Sequence, residues 1–506
     1  MDISPGFSQF ASVYEQGQPQ ALYARLIADL ETPVSAFLKL AEGRANAFLL
    51  ESVQGGEARG RYSIIGLKPD VIWRCRDGKA EINRDAQTDP ERFSPDDDAD
   101  KPLVALKRLI RSVRMELPPE LPPMATGLFG YIGYDIVRQM ERLPSPPPDV
   151  LGLPEACMLR PTITAIFDSI RDEIIVVTPV WPDKAVSARA AYERAAERLE
   201  STIADLERST VPAPPSDVKA AVGPAQSNTS HADYLAMVET AKEYIRAGDI
   251  FQVVPSQRFR RTFTLPPLAL YRALRRLNPS PFLYFLNFPD FAIVGSSPEI
   301  LVRLRDGVVT IRPIAGTRPR GKTPEEDQRL AGELMADPKE RAEHLMLLDL
   351  GRNDVGRVAQ IGSVRVTDQF FIERYSHVMH LVSNVEGQIR PDYDAVDALV
   401  AGFPAGTLSG APKVRAMEII DELEKEKRGV YAGAVGYFAA DGTMDTCIVL
   451  RTAIVKDGMM YVQAGGGVVV DSDPEAEYQE TVNKAKALMA AADEAVRYAA
   501  ASKRGQ

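Results

Sequence analysis

Ala292–Arg318, AIVGSSPEILVRLRDGVVTIRPIAGTR, is the stretch whose reading decides the fold. Two alternating apolar–polar runs flank Asp306-Gly307, a dipeptide suited to a tight hairpin because both turn positions need positive φ. The same grammar recurs along the chain. VIWRCRDGKAEIN turns at Asp77-Gly78, and TITAIFDSIRDEIIVVTPVW reads as another hairpin. AFLLESV, RYSIIGL, IFQVVPSQRF, YAGAVGYFAA, TCIVLRTAIV and MYVQAGGGVVV read as further strands. Helices are predicted at YARLIADL, in an Ala/Arg/Glu-rich run reaching Arg208, at DYLAMVETAKEYIRAG before Gly248, and at LALYRALRRLN. Hairpins outnumber strand–helix–strand units, which predicts an α+β body of antiparallel sheets with helices outside. TVPAPPSDVKAAVGPAQSNTS is a Pro/Ala/Ser linker, so the chain divides into an N-terminal lobe over 1–210, a linker over 211–230 and a second lobe over 231–498.

Composition narrows the function. A chain of 506 residues is long enough for two domains or one large two-lobed body. The net charge of −10 argues against nucleic acid, which requires a clustered basic surface. No apolar run approaches a membrane span, and MDISPGFSQF lacks the basic and apolar regions of a secretory signal. Cys75, Cys157 and Cys447 are scattered without metal-type spacing, which suits reduced thiols and a cytoplasmic setting.

Two acidic segments stand out, DPKERAEHLMLLDLGRND and DPEAEYQETVNKAKALM. Asp337 and Asp473 read as N-caps, with Pro338 and Pro474 at the first helical position. Glu340 with Glu343, and Glu477 with Glu480, are spaced three apart and so share a helix face. Four carboxylates facing one cavity suit a hard divalent cation, most simply Mg²⁺ holding waters and an anionic substrate. The competing reading is plain capping, since Glu340 stands where a capping box from Asp337 wants it. Gly316-Thr-Arg-Pro-Arg-Gly321-Lys322-Thr323 matches the phosphate-loop pattern but fails physically. Pro324, Glu325, Glu326 and Asp327 follow at once and place negative charge where a phosphate would sit.

Read together, LLES, DIFQVVPSQRF, NPSPFLYF, GSSPEIL, PIAGTRPRG, ERAEHLMLLDLGRNDVGRV, HVMHLVS, FPAGTLSGAPKVRAMEIIDELE, GVYAGAVGY, VQAGGGVV and EYQETVNKA identify a family. The chain resembles anthranilate synthase component I, within the chorismate-utilising enzymes. The resemblance implies two facing, mainly antiparallel sheets, interwoven lobes and an active site deep between the sheets. It implies addition of ammonia to chorismate, loss of the C4 hydroxyl and elimination of pyruvate to give anthranilate, the first committed step of tryptophan biosynthesis. By resemblance Mg²⁺ takes Glu340, Glu343, Glu477 and Glu480. Substrate meets Gly316, Thr317, Tyr431, Arg451, Gly465, Gly466, Gly467 and Lys484. Glu299 matches the general acid, His380 the histidine that moves a proton later in the reaction, and Thr407 supports that part of the site. His344 and His377 read as structural.

Two positions separate relatives. Gln252 stands where water-activating enzymes of the family carry lysine, and a neutral amide can hydrogen-bond ammonia. Ala315 stands where aminodeoxychorismate synthases carry a nucleophilic lysine, so covalent attack on the ring has no amine to perform it. Ser52, with Pro281, Phe282 and Leu283, resembles the family's tryptophan feedback site. None of the cysteines lies in a nucleophile elbow, so a glutamine amidotransferase subunit, component II, is expected as partner. The alternatives are aminodeoxychorismate synthase component I and a catalytically idle, tryptophan-binding regulatory subunit.

Overall fold

The computed structural model describes residues 2–41, 43–54, 58–209, 222–375 and 378–500, so most of the expected linker and His377 lie outside the described residues. Twenty-two strands form one continuous antiparallel network among the described residues. Two long strands, Ala58–Arg76 and Ala156–Asp168, divide it into two sheets. Their outer halves pair as Tyr62–Leu67 with Ile163–Asp168, and their other halves as Val71–Cys75 with Ala156–Arg160, with the register breaking between Pro69 and Val71. Lys68 beside that break has φ +50°. A bulge of this kind bends and twists a strand, which lets each long strand serve both sheets.

The first sheet continues from Ala58–Arg76 through Ala47–Gln54, Phe282–Asn287, Phe291–Ser297, Thr452–Lys456 and Met459–Gly465 to Ser256–Thr262. The second continues from Ala156–Asp168 through Gly127–Ile132, Ala434–Ala439, Met444–Ile448, Ile300–Arg305 and Val308–Ile311 to Val378–Gln388. Strands from both parts of the chain are interleaved in each sheet, so neither part forms a sheet alone. Between the sheets lies a fully buried layer that includes Phe48, Phe129, Tyr131, Ile293 and Tyr437. Phe48 of the first sheet stacks on Phe129 of the second with centroids 4.7 Å apart. Helices Pro33–Ala41, Ala188–Glu207, Pro267–Leu277 and Pro474–Ala500 cover the first sheet's outer face. Pro102–Ser112, Pro338–Gly356 and Ala395–Gly402 cover that of the second. The result is an α+β sandwich of helices, sheet, sheet and helices. No described helix is long and apolar enough to cross a membrane.

Local expectations fare unevenly. Both Asx-Gly hairpins form, with φ +52° and +70° at Asp77 and Gly78, and +49° and +74° at Asp306 and Gly307. YARLIADL is not a helix. Gln20–Ile27 is a strand held between Ile3–Ser4 and Glu173–Val180. Its first five residues are all buried, so neither a two-fold nor a 3.6-fold pattern survives in the sequence, and pairing decides. IFQVVPSQRF splits into Gln252–Val253 and Ser256–Thr262, with Pro255, which has no N–H to donate to a ladder, in the gap. TCIVLRTAIV splits as well, for a reason that concerns the site.

Candidate active site

The chain passes between the sheets at two breaks that meet each other. Phe291–Ser297 belongs to the first sheet and Ile300–Arg305 to the second, so Pro298-Glu299 is a crossing. Met444–Ile448 belongs to the second sheet and Thr452–Lys456 to the first, so Val449–Arg451 is the return crossing. The Ile448 amide donates to Glu299 O at 3.0 Å, and the Ser296 amide to Arg451 O at 3.2 Å. Arg451 takes φ +49°, a left-handed conformation that costs about 1–2 kcal/mol for a residue with a Cβ. Its guanidinium has no ion-pair partner among the described residues.

Glu299 is buried, and that burial lifts its carboxyl from 4.5 to about 8. The Thr407 hydroxyl, which donates to it at 3.4 Å, and the charges of Arg451 and Lys484 oppose the rise without cancelling it. His380 is shifted the other way. Desolvation pulls it down to about 4, so the ring is neutral at pH 7. Its strand places it opposite Thr317. His380 Nδ1 lies 3.0 Å from Gly316 O and 3.1 Å from Thr317 Oγ1. A carbonyl only accepts, so Nδ1 carries the proton and Nε2 keeps a bare lone pair. Nε2 is buried and has no partner. One carboxyl that is protonated and one imidazole with a free lone pair therefore lie within the field of the same arginine.

Gly316 links this end to the acidic helices. At φ +66° it suits glycine, and a Cβ there would come within 3.0 Å of Glu340 Oε2. Asp337 caps helix Pro338–Gly356 by accepting from Lys339 and Glu340 amides, and Asp473 accepts from the Ala476 amide. The Glu340 carboxylate does not return to the cap; it pairs with Arg318 at 3.1 Å. Glu343 is raised by burial, and further by the charges of Glu340 and Glu480. Glu477 is raised by burial as well, with Glu480 adding to it. The two helices thus turn their carboxylates toward one another. Among the described residues no three His, Cys, Asp or Glu side chains stand at metal-ligand spacing. Glu477 Oε2 is nevertheless buried without a partner, 2.6 Å from where a Cβ on Gly466 would stand. A cluster of like charges with an orphaned oxygen fits a hard divalent cation, with Glu340, Glu343, Glu477 and Glu480 as the donor set.

The remaining residues close the ring. Lys484 Nζ donates to Gly465 O at 2.8 Å and pairs with Glu480 at 2.7 Å. Tyr431 is buried, which raises its hydroxyl to about 12, and that hydroxyl would meet a Cβ on Gly465 at 3.1 Å. A Cβ on Gly467 would meet Gln252 Nε2 at 2.6 Å, and Gln252 Oε1 is buried without a partner. Tyr375, whose buried ring meets His380 edge-on at 5.3 Å, also borders the site. So does Arg318, the cation already seated on Glu340. Neither has a local signal, since each is defined by partners on other elements. His344 Nε2 lies 2.7 Å from Ser383 Oγ in the core. The segment after the phosphate-loop look-alike is helix Pro324–Ala336 capped by Thr323, and Asp327 accepts from the Gly321 amide.

Ser52 and Phe282 come together by strand register, and the neighbouring Leu283 stands opposite Glu51. Ser52 donates to Tyr62 O at 3.1 Å. Beside it, buried Glu51 accepts from Tyr271 at 2.5 Å and from Arg275 at 2.5 and 3.0 Å.

A family model described as a chorismate binding enzyme matches residues 47–490. Anthranilate synthase component 1 of Cereibacter sphaeroides is 61% identical over 97% of both chains. The protein of that name from Pseudomonas aeruginosa is 51% identical over 92% of this chain and 94% of its own. Anthranilate synthase component I from Streptococcus pneumoniae superposes with TM-score 0.73 at 38% identity, over 92% of this chain and 99% of that one. A menaquinone-specific isochorismate synthase from Escherichia coli shares the fold, with TM-score 0.69 at 20% identity over 95% and 99% of the two chains.

Proposed function

Because the chain belongs to the chorismate binding enzymes, we propose that it is the ammonia-using component of an anthranilate synthase, converting chorismate and ammonia to anthranilate and pyruvate. The observation that carries this reading is the opposite displacement of Glu299 and His380 beside Arg451. Two proton transfers of opposite sense need an acid that stays protonated and a base that stays neutral at one pH.

Chorismate arrives as a dianion. Arg451 takes one carboxylate in a bidentate pair, while the backbone of Gly465, Gly466 and Gly467, with Tyr431 and Lys484, cradles the other end. Gly316 and Thr317 line the His380 side. Gln252 offers its unpartnered Oε1 to an N–H of ammonia, aiming the nitrogen lone pair at C2. As the C2–N bond forms, the ring double bonds shift and the C4–O bond breaks. Glu299, supported by Thr407, gives that oxygen its proton, so water leaves rather than hydroxide. In the second half, His380 Nε2 takes the C2 proton as the enolpyruvyl C–O bond breaks, and the ring becomes aromatic. A bound Mg²⁺ would be held by Glu340, Glu343, Glu477 and Glu480 and would supply Lewis-acid polarisation of the ring carboxylate.

Nitrogen from glutamine enters through a glutamine amidotransferase subunit. All three cysteines of this chain are buried, and burial pushes their thiols up, Cys157 to about 12; none is a ready thiolate for attack on glutamine. Ser52, Pro281, Phe282 and Leu283 form a tryptophan feedback site. Ala315, with no amine, disfavours the covalent route of an aminodeoxychorismate synthase. The test is anthranilate fluorescence from chorismate, Mg²⁺ and ammonium with the pure chain. Glutamine is expected to replace ammonium only after the amidotransferase subunit is added. Glutamine-dependent product from the chain alone would overturn the partner assignment.

A further inference from the structure

We propose that Arg428 is a positioning residue: paired with Glu424, it fixes the span between the Gln252 side and the Glu299–Thr407 side of the cleft. The proposal rests on the assignment of that cleft given above. Arg428 and Glu424 form an ion pair at 2.6 Å with side chains only 1% and 3% exposed. The guanidinium reaches in two further directions. Nη1 donates to Leu408 O at 2.7 Å, next to Thr407, and Nη2 donates to Val254 O at 2.6 Å, two residues after Gln252. Its plane lies over the Tyr134 ring at 4.9 Å and the Tyr431 ring at 5.5 Å. Glu424 extends the tie by accepting from the Ser256 amide at 2.8 Å and the Ser256 hydroxyl at 2.7 Å. Ser256 in turn stands opposite Gly465 in the strand register. The pair therefore touches three segments that line the cleft, Gln252–Ser256, Gly406–Leu408 and Tyr431, and reaches Gly465 through Ser256.

Stability does not explain such a pair, because an apolar replacement of similar volume is often neutral or stabilising. What an apolar pair lacks is the rigid fork of donors that holds two carbonyls from different segments at a set separation. Those carbonyls belong to the segments that carry the groups for the incoming nitrogen and the departing oxygen.

The decisive variant replaces both charges, Arg428→Met with Glu424→Leu, in the full chain. It is expected to fold, with a melting midpoint lowered by the Leu408, Val254 and Ser256 groups that lose their partners. Ammonium-dependent anthranilate formation should still fall about 10²-fold, the cost of roughly 1 Å of misplacement. The alkaline limb of its pH profile should shift, because the Thr407–Glu299 contact loosens. Amide hydrogen exchange should quicken at residues 252–256 and 406–409 while the outer helices keep their protection. Arg428→Lys, which retains the charge but offers donors from one point only, should show the same losses. A stable double variant, or a folded lysine variant, with turnover within a few-fold of wild type and an unmoved limb would overturn the proposal. If the double variant does not fold, the lysine variant decides; if neither folds, Arg428 is a stability residue and the proposal falls. Absence of anthranilate from the wild type would instead be a failure of the functional assignment, and the exchange measurement would still judge Arg428.

Discussion

Glu299→Gln tests the acid through stability as well as rate. Glutamine keeps the shape of the side chain and its contact with Thr407 but has no proton to lose. In the wild type, burial moves the carboxyl from 4.5 to about 8. Between those values the folded chain holds a proton that the unfolded chain has released, so stability falls as pH rises through that window and levels off above it. At about 1.36 kcal/mol per pKa unit, the decline reaches at most about 5 kcal/mol. Every other titrating group is common to both proteins and cancels in the difference. Urea denaturation of both at about pH 5 and about pH 8 yields that difference directly. Relative to wild type, the variant is expected to gain several kcal/mol on going from the lower pH to the higher one, while its anthranilate formation falls about 10²–10⁴-fold. An equal stability difference at both pH values would mean that Glu299 is ionised in the folded chain, and the acid role would be lost.

Replacing His380 with Met should block the second half-reaction more than the first, so that an aminated, non-aromatic intermediate accumulates and is seen by chromatography; loss of chorismate consumption would place His380 in binding or the first step. Glu343→Gln or Glu480→Gln is expected to weaken Mg²⁺ binding, read by titration calorimetry without substrate, and to abolish turnover at low Mg²⁺ while the circular dichroism is unchanged. Wild-type activity in either variant would reduce these residues to helix-terminal charges. Ser52→Ala should relax tryptophan inhibition without changing the uninhibited rate, and full retention of inhibition would remove Ser52 from that site.

What was legible in the sequence is what local chemistry dictates. Asp77-Gly78 and Asp306-Gly307 form hairpins because two residues contain the whole reason. The caps at Asp337 and Asp473 were legible for the same cause, and with them the two glutamate pairs. Tyr23–Leu30 reads as a helix in the sequence yet begins inside a strand, because burial over Gln20–Ala24 is continuous and the strand's identity comes from Glu173–Val180, far along the chain. The crossings at Glu299 and Arg451 were invisible: the alternating pattern runs straight through both, and only the arrangement of two sheets reveals that a strand changes partners there. Glu299, His380 and Arg451 were found through family motifs, whereas their opposite electrostatic displacements needed burial. Arg428 and Glu424 escaped altogether, since an ion pair four residues apart on paper looks like a surface contact, and its importance lies with Val254 and Leu408.

The most direct test of the account is the product that the isolated chain makes from chorismate and isotopically labelled ammonium in the presence of Mg²⁺. Labelled anthranilate with one pyruvate released per ring is the expected result, the one that requires both the acid proposed at Glu299 and the base proposed at His380. A labelled, non-aromatic aminochorismate released as the final product, or a hydroxylated ring without the label, would contradict it.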